Sequence, residues 1–173
     1  MTAIPHPCTF LIVGYGNPLR GDDGVGPQVA RTVADWQIPW VKTLAVPQLM
    51  PELAVEMETV DYAIFVDAWG KSGASPPPAH LCLEPIVTPP CHGTAALDHA
   101  WSPTALVILT QRLYGRYPQT WLLPIPTECC ELGETLSETA QQGVNRALRT
   151  IEQCLTTYRR PTFTPVEPCM KSA

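Results

Sequence analysis

The chain is 173 residues long, the size of one domain with a single core, and 45% of its residues are hydrophobic while 16% are charged. This balance predicts a globular protein rather than a disordered one. The net charge is −5 and the lysines and arginines are not clustered, so nothing in the sequence suggests a surface for nucleic acid or an anionic membrane.

Targeting signals and a disulfide framework are also missing from the sequence. The apolar runs are too short to cross a bilayer, and the first seven residues lack the basic and apolar regions of a signal peptide. The seven cysteines are scattered and form no CxxC pair, which disfavours a structural zinc site or a redox motif and favours reduced thiols. We therefore expect a cytoplasmic protein, and a monomer is the simplest assembly.

Strand and helix patterns alternate along the first part of the chain. The residues predict, in order, a strand over 9–15, a glycine-rich loop over 16–24, a helix over 26–36, a strand over 41–46, a helix over 50–57 and a strand over 62–66 that ends at Asp67. Alternation at this spacing is typical of a three-layer α/β fold with a largely parallel sheet.

The second part is less regular. It predicts an edge strand over 81–86 between loops over 72–79 and 87–97, a helix over 103–113 with Ser102 as its N-cap, a strand over 120–125 and a helix over 137–157. Residues 1–158 are thus expected to form one domain, followed by a proline-rich tail over 159–173.

Acidic residues follow two of the predicted strands. Asp22 and Asp23 stand in the loop after the first strand, and Asp67 follows the third. Ligands gather at the carboxyl ends of parallel strands, so these carboxylates are expected to approach one another. Capping of the following helix is the more common role of an Asp-Asp pair, and metal binding is the functional alternative.

A dinucleotide site is disfavoured by the residues of the same loop. Leu19 stands where the glycine-rich fingerprint needs a third glycine, and the end of the second strand carries no acid for a ribose. The carboxylates of Asp22 and Asp23 would also repel a pyrophosphate.

A histidine could complete a metal site with the carboxylates. His80, His92 and His99 are the candidates, and His99 stands just before the helix predicted from residue 103. Two carboxylates and one imidazole suit a borderline divalent ion such as zinc or nickel.

Taken together, these motifs resemble those of the hydrogenase maturation endopeptidases. The resemblance is carried by GNPLRGDDGVG (16–26), YAIFVDAW (62–69), Asp98-His99 with the helix that ends in LYG (113–115), LPIP (123–126) and the lead into the last helix (131–137). It extends over almost the whole chain, to about residue 158. The third motif is most similar to that of proteases serving bidirectional, NAD-linked hydrogenases.

The resemblance implies a fold, an activity and a site. The fold is an α/β/α sandwich with a mixed, mostly parallel sheet. The activity is removal of the C-terminal extension from the nickel-loaded large-subunit precursor of a nickel–iron hydrogenase. The ligands and catalytic residues would be Asp23, Asp67 and His99, and the substrate-facing loop would include Gly16, Asn17, Asp22, Gly24 and Gly26. The metal would be the nickel carried by the precursor, with zinc or cadmium able to replace it in vitro, and no organic cofactor is implied.

Several alternatives remain open from the sequence. The carboxylates would either bind the precursor's nickel or act as general acid and base, as in aspartic-type peptidases. A cysteine peptidase is disfavoured because Cys129 and Cys130 have no assigned histidine partner. A non-catalytic chaperone that binds the nickel-loaded subunit, and a small nucleotide-binding or redox protein, are the rivals from other classes.

Overall fold

A computed structural model describes residues 8–70, 81–87, 101–128, 131–133 and 135–158. Its elements in chain order are β1 (Phe10–Tyr15), a 3₁₀ turn (Gly21–Gly24), α1 (Val25–Asp35), β2 (Val41–Val46), α2 (Leu53–Glu58), β3 (Tyr62–Trp69), β4 (Glu84–Pro85), α3 (Pro103–Tyr114), β5 (Gln119–Pro126) and α4 (Glu138–Tyr158).

The five strands form one sheet in the order β2-β1-β3-β5-β4. β1 is parallel to both β2 and β3, and β3 is parallel to β5, whereas β4 pairs antiparallel with β5 through only two residues. The predicted mixed, mostly parallel sheet is therefore confirmed.

Helices cover both faces of this sheet, because side chains alternate between the two faces along each strand. On one face Ile12, Ile64 and Val66 pack with residues of α1 and α4. On the other face Val13 and Phe65 pack with residues of α2 and α3. The predicted three-layer α/β/α sandwich is confirmed.

The last two helices begin as their sequences predict. The Ser102 hydroxyl accepts a hydrogen bond from the Ala105 N–H at 3.1 Å, with Pro103 in the first turn of α3. Similarly, the Ser137 hydroxyl accepts from the Ala140 N–H at 3.1 Å where α4 begins.

Three elements differ from their predicted bounds by more than one residue. β3 does not end at Asp67 but continues to Trp69, because residues 67–69 pair with residues 124–126 of β5. The edge strand predicted over 81–86 is reduced to Glu84–Pro85, the two residues that pair with Leu122 and Trp121 of β5. α2 begins at Leu53 rather than at residue 50, because Pro51 disfavours a helical conformation of the residue before it.

Other predictions fall wholly or partly outside the described residues. They are the loop over 72–79, the loop over 87–97 beyond residue 87, and the tail over 159–173, so the proposed domain boundary stays a prediction. Within the described ranges, no helix combines the length and the apolar character that a membrane span requires.

Candidate functional site

The candidate site lies where the carboxyl ends of β1 and β3 meet. After β1 the chain crosses to β2 on one side of it, whereas β3 is its neighbour on the other side. The ends of β1 and β3 therefore flank the switch point of the sheet. Val66 of β3 pairs with Gly14 of β1, which puts Asp67 beside Tyr15, the last residue of β1. The two acid-bearing segments predicted from the sequence are therefore neighbours.

Glycines let the first turn of α1 lie directly on these strands. A Cβ on Gly26 would stand 2.5 Å from the Tyr15 carbonyl oxygen and 2.6 Å from the Val66 carbonyl oxygen. A Cβ on Gly14 would stand 1.9 Å from the Gly26 carbonyl oxygen. Since Gly26 is buried against two strands, its role is close packing rather than contact with a substrate.

Asp23 is half-buried and is held by the loop that follows β1. Its Oδ2 accepts a hydrogen bond from the Asn17 N–H at 3.0 Å, and the Asn17 Oδ1 accepts from the Leu19 N–H at 3.0 Å. Gly16 has a φ of 138°, and a Cβ there would stand 2.9 Å from Asp23 Oδ1 and 2.0 Å from the Asp23 carbonyl oxygen. This loop fixes Asp23 next to the end of β1.

Asp22 has a different environment from its neighbour, because its side chain is 0% exposed. Its Oδ1 accepts from the Ser137 N–H at 2.6 Å, and its Oδ2 accepts from the Ser137 hydroxyl at 2.7 Å and the Glu128 N–H at 2.8 Å. The carboxylate thus joins the loop to the start of α4. A side chain that is fully enclosed does not face a substrate, so we assign Asp22 a structural role.

The capping role considered for Asp22 and Asp23 is not the one observed. The 3₁₀ turn that contains these residues has no side-chain cap hydrogen bond, and neither has helix α1, which follows it. Instead Asp22 binds the backbone at the start of the distant helix α4. Two backbone hydrogen bonds strengthen the same connection, from the Gly21 N–H to the Gly133 oxygen at 2.5 Å and from the Gly133 N–H to the Leu19 oxygen at 3.0 Å.

Asp67 is half-buried in β3 and faces the α2/α3 side of the sheet, as Phe65 and Tyr15 do. Its Oδ1 accepts a hydrogen bond from the Ala68 N–H at 2.8 Å, and the register between β1 and β3 puts Tyr15 beside it. Burial, followed by the negative charge of Asp67 and hydrogen bonding to it, raises the pKa of Tyr15 well above its ordinary value.

Tyr15 was missed in the sequence because it stands inside a run of strand-forming residues. The available signal was its position at the end of the first strand, beside the end of the third. The sequence does not give the register that pairs these strands.

The predicted histidine ligands lie outside the described residues. His80, His92 and His99 belong to the ranges 71–80 and 88–100. The described chain resumes at Trp101, which packs against the same α2/α3-side core as Tyr15. Within the part of the chain that the structure describes, no group of three or more histidine, cysteine, aspartate or glutamate side chains has the spacing of a metal site.

An apolar surface borders the loop that holds Asp23. Leu19 is 56% exposed and Leu132 is 89% exposed, and the Leu19 and Gly133 backbones are hydrogen bonded to each other. Beside them is a groove of about 480 Å³, lined by Pro18, Leu19, Gly21, Gly24, Gln28, Arg31, Thr32, Asp35 and Leu136. Exposed leucines of this kind are typical of surfaces that bind another polypeptide.

Comparison with solved structures identifies the fold. A [NiFe] hydrogenase maturation protease, HycI from Thermococcus kodakarensis KOD1, superposes with a TM-score of 0.66 at 21% identity, over 87% of this chain and 94% of that one. The hydrogenase maturating endopeptidase HybD from E. coli gives 0.63 at 20% identity, over 86% and 93%. The chain has the fold of these maturation proteases.

A third solved structure has the same fold as the first two. The hydrogenase 2 maturation peptidase from Thaumarchaeota archaeon SCGC_AB-539-E09 gives a TM-score of 0.60 at 21% identity, over 86% of this chain and 98% of that one. A scan against protein-family models and a search of curated proteins return no match. The fold implied by the sequence motifs is thus confirmed by structure.

Proposed function

We propose that the protein is an endopeptidase that matures a nickel–iron hydrogenase by removing the C-terminal extension of its large-subunit precursor. One observation carries the proposal. The loop that holds Asp23 and the strand that holds Asp67 meet at the switch point of a sheet whose fold is shared with maturation proteases from three organisms.

The chemistry of these side chains supports binding of a metal that arrives with the substrate. In this proposal Asp23, Asp67 and His99 become additional ligands of the nickel in the precursor, and zinc or cadmium replaces it in vitro. The metal then fixes the register of the bound segment, so that the scissile bond lies in the crevice and its carbonyl or a water is polarised. No organic cofactor takes part.

Carboxylate acid–base catalysis is the competing mechanism for the same reaction. One of the two carboxylates would activate water and the other would protonate the leaving amine, as in aspartic-type peptidases. Both mechanisms need Asp23 and Asp67, but only the first needs the metal. Cleavage of a precursor without nickel would therefore favour the acid–base mechanism.

The apolar surface formed by Leu19 and Leu132 supports a polypeptide substrate rather than a small molecule. It begins two residues after Asn17, whose N–H binds Asp23, so a bound segment would pass from the surface to the carboxylates. The partner in the proposal is the large-subunit precursor in the cytoplasm, bound by a monomer. The assignment to a bidirectional, NAD-linked hydrogenase stays a prediction.

The test is cleavage of nickel-loaded precursor by the wild type and by Asp23→Asn, Asp67→Asn and His99→Ala variants, followed by mass spectrometry. We expect each variant to lose about 100-fold or more in rate while keeping its melting temperature, since ligand misplacement alone has effects of this size. His92→Ala is the matched control and should cleave normally. Variants that cleave like the wild type would show that the site is wrong.

The same assay separates a protease from a chaperone. A chaperone would bind the nickel-loaded precursor and leave its length unchanged. Thermal stabilisation tests the remaining rival, because a bound ligand raises the melting temperature. Nickel, cadmium or zinc should stabilise the protein and NAD should not, and the opposite result would favour a nucleotide-binding protein.

A further inference from the structure

A second pocket, of about 370 Å³, opens at the amino end of the sheet. Its walls are the segment between α1 and β2 and the last turns of α4, and it is lined by Trp36, Ile38, Trp40, Glu152, Leu155 and Thr156. The Trp40 carbonyl accepts a hydrogen bond from the Phe10 N–H at 2.9 Å, and the two rings meet edge-on with centroids 5.9 Å apart. Both indoles are partly buried against the α1/α4-side core, so the aromatic wall of the pocket is held in place.

The chain supplies a segment that begins beside this pocket. Helix α4 ends at Tyr158, just after Thr156, and the sequence continues as RRPTFTPVEPCMKSA over residues 159–173. Tyr158 is about 9 Å along the helix axis from Glu152, because an α-helix rises about 1.5 Å per residue. About three extended residues cover that distance, so residues 161–163 are the first that could reach the pocket on a path back along α4.

The composition of this segment matches the lining of the pocket. Aromatic-lined grooves are the usual binding sites of proline-rich segments, because a proline-rich backbone is already restricted and loses little entropy on binding. Trp36 and Trp40 present such a surface. Pro161 and Phe163 supply a proline ring and an aromatic ring that could pack on the indoles.

The charges match as well. Glu152 lines the pocket and Asp35 directly precedes Trp36, and both acidic side chains are exposed. Neither carboxylate forms an ion pair with another residue that the structure describes. Arg159 and Arg160 would bring two positive charges to this acidic rim. Charge and aromatic lining therefore favour the same occupant.

We propose that residues 159–163 return along α4 and dock in this pocket, with Pro161 and Phe163 against the two indoles and the arginines at the acidic rim. Residues 1–7 precede β1 at the same end of the sheet, but they contain no lysine or arginine and match the rim less well. The inference is independent of the proposed function, because the pocket is at the opposite end of the sheet from Asp23 and Asp67.

Fluorine NMR of the full chain labelled with 5-fluorotryptophan tests the docking. The chain has five tryptophans, and Trp36→Phe and Trp40→Phe variants assign the two resonances of the pocket. Phe163→Ala should shift these two resonances and leave that of Trp69, at the carboxyl end of β3, unchanged. Met170→Ala removes an apolar side chain beyond the proposed segment and is the matched control, with no shift expected. Unchanged pocket resonances in Phe163→Ala would overturn the inference.

Proteolysis measures how much of the time the segment is docked. Trypsin cuts after Arg159, and its rate follows the undocked fraction when docking is fast relative to cleavage. Phe163→Ala should be cut about 10-fold faster than the wild type, because burial of one aromatic side chain changes an equilibrium by at least about that factor. Glu152→Gln should give a smaller acceleration, whereas Glu138→Gln, at the other end of α4, should give none. Equal rates for the wild type and Phe163→Ala would contradict the docking.

Two further results would assign the pocket to another occupant. If Ile4→Ala shifts the pocket resonances and Phe163→Ala does not, residues 1–7 occupy the pocket. If the wild-type resonances move with protein concentration, a second copy of the chain occupies it. Either result would overturn the inference and leave the proposed cleavage reaction untouched.

Discussion

The two ends of the sheet are built on the same strands and differ in almost every other respect. At the amino ends of β1 and β3, aromatic rings close the core: the rings of Phe10 and Tyr62 stack with centroids 4.7 Å apart, and Tyr158 of α4 lies 4.8 Å from Tyr62. At the carboxyl ends there are carboxylates, close-packed glycines and a buried polar connection to α4.

The difference between the two ends shows where the loss of a single atom should affect the protein most. The hydrophobic part of the aromatic contacts is non-directional and is distributed over several rings, so the amino end should tolerate replacement of one ring by another. The carboxyl end depends on hydrogen bonds with single partners, in which the loss of one oxygen leaves buried donors unsatisfied. Perturbing each end should therefore affect different properties of the protein.

The largest effect is expected at the polar connection of the carboxyl end. Asp22→Ala leaves the Ser137 and Glu128 N–H groups and the Ser137 hydroxyl without their acceptor, so it should lower the free energy of unfolding by about 3 kcal/mol or more. Urea denaturation of the purified variant measures this loss.

Ser137→Ala is the control for this prediction. It removes one hydroxyl and the N-cap of α4 but keeps the backbone N–H that binds Asp22, so about 1 kcal/mol is expected. A loss below about 1 kcal/mol for Asp22→Ala would mean that the polar connection contributes little, and the contrast between the two ends would fail.

An intermediate effect is expected at the aromatic end. Tyr158→Ala removes the ring that contacts Phe10, Tyr62 and Trp121, so it should lower the free energy of unfolding by about 2 kcal/mol. Cleavage per folded molecule should be unchanged, because the ring is at the opposite end of the sheet from Asp67. Tyr158→Phe keeps the ring and should stay within about 0.5 kcal/mol of the wild type.

The cleavage rate of Tyr158→Ala shows whether a change at the aromatic end affects the carboxyl end. Rates are compared well below the melting temperature of each variant, so that the folded fraction stays equal. A Tyr158→Ala protein that is folded and cleaves slowly would show that the two ends are coupled through α4, and the simple division would be wrong.

Much of the fold could be predicted from the sequence, because its signals are local. Strand β2 has the predicted bounds of 41–46, and the start of α3 follows from the Ser102-Pro103 pair. β3 was predicted two to three residues too short because the apolar run stops at Asp67. Pairing with β5, rather than apolar character, carries the strand on to Trp69.

The site was predictable only where it depends on strand ends. The neighbouring positions of the Asp23 loop and Asp67 follow from the rule on parallel strands. The structural role of Asp22 does not follow from that rule, because its main partner Ser137 is 115 residues away in the sequence. The position of Tyr15 beside Asp67 was missed for the same reason, since it depends on the register between strands. His99 is outside the described residues, so its role stays a prediction.

The smallest predicted effect is a loss of stability at alkaline pH that originates at the aromatic end. Cys154 of α4 is 6% exposed, and burial raises the pKa of its thiol from an ordinary value of 9.0 to about 11. Between these values the unfolded chain loses a proton that the folded protein keeps. The stabilisation is thus complete below about pH 9 and is lost as the pH rises through about 11, and about 1 kcal/mol of it is gone by about pH 10.

Urea denaturation as a function of pH checks the sign and the source of this loss. Cys154→Ala should be somewhat less stable than the wild type at neutral pH and should show a flatter decline above about pH 9, because the titrating thiol is gone. Cys82→Ser, which changes an exposed thiol, is the control and should follow the wild-type curve. The raised pKa values of Tyr15 and Tyr62 act in the same direction, but only from about pH 10, where an unfolded tyrosine begins to ionise. A Cys154→Ala curve as steep as the wild type between about pH 9 and about pH 10 would therefore assign the early alkaline loss to a group other than the Cys154 thiol.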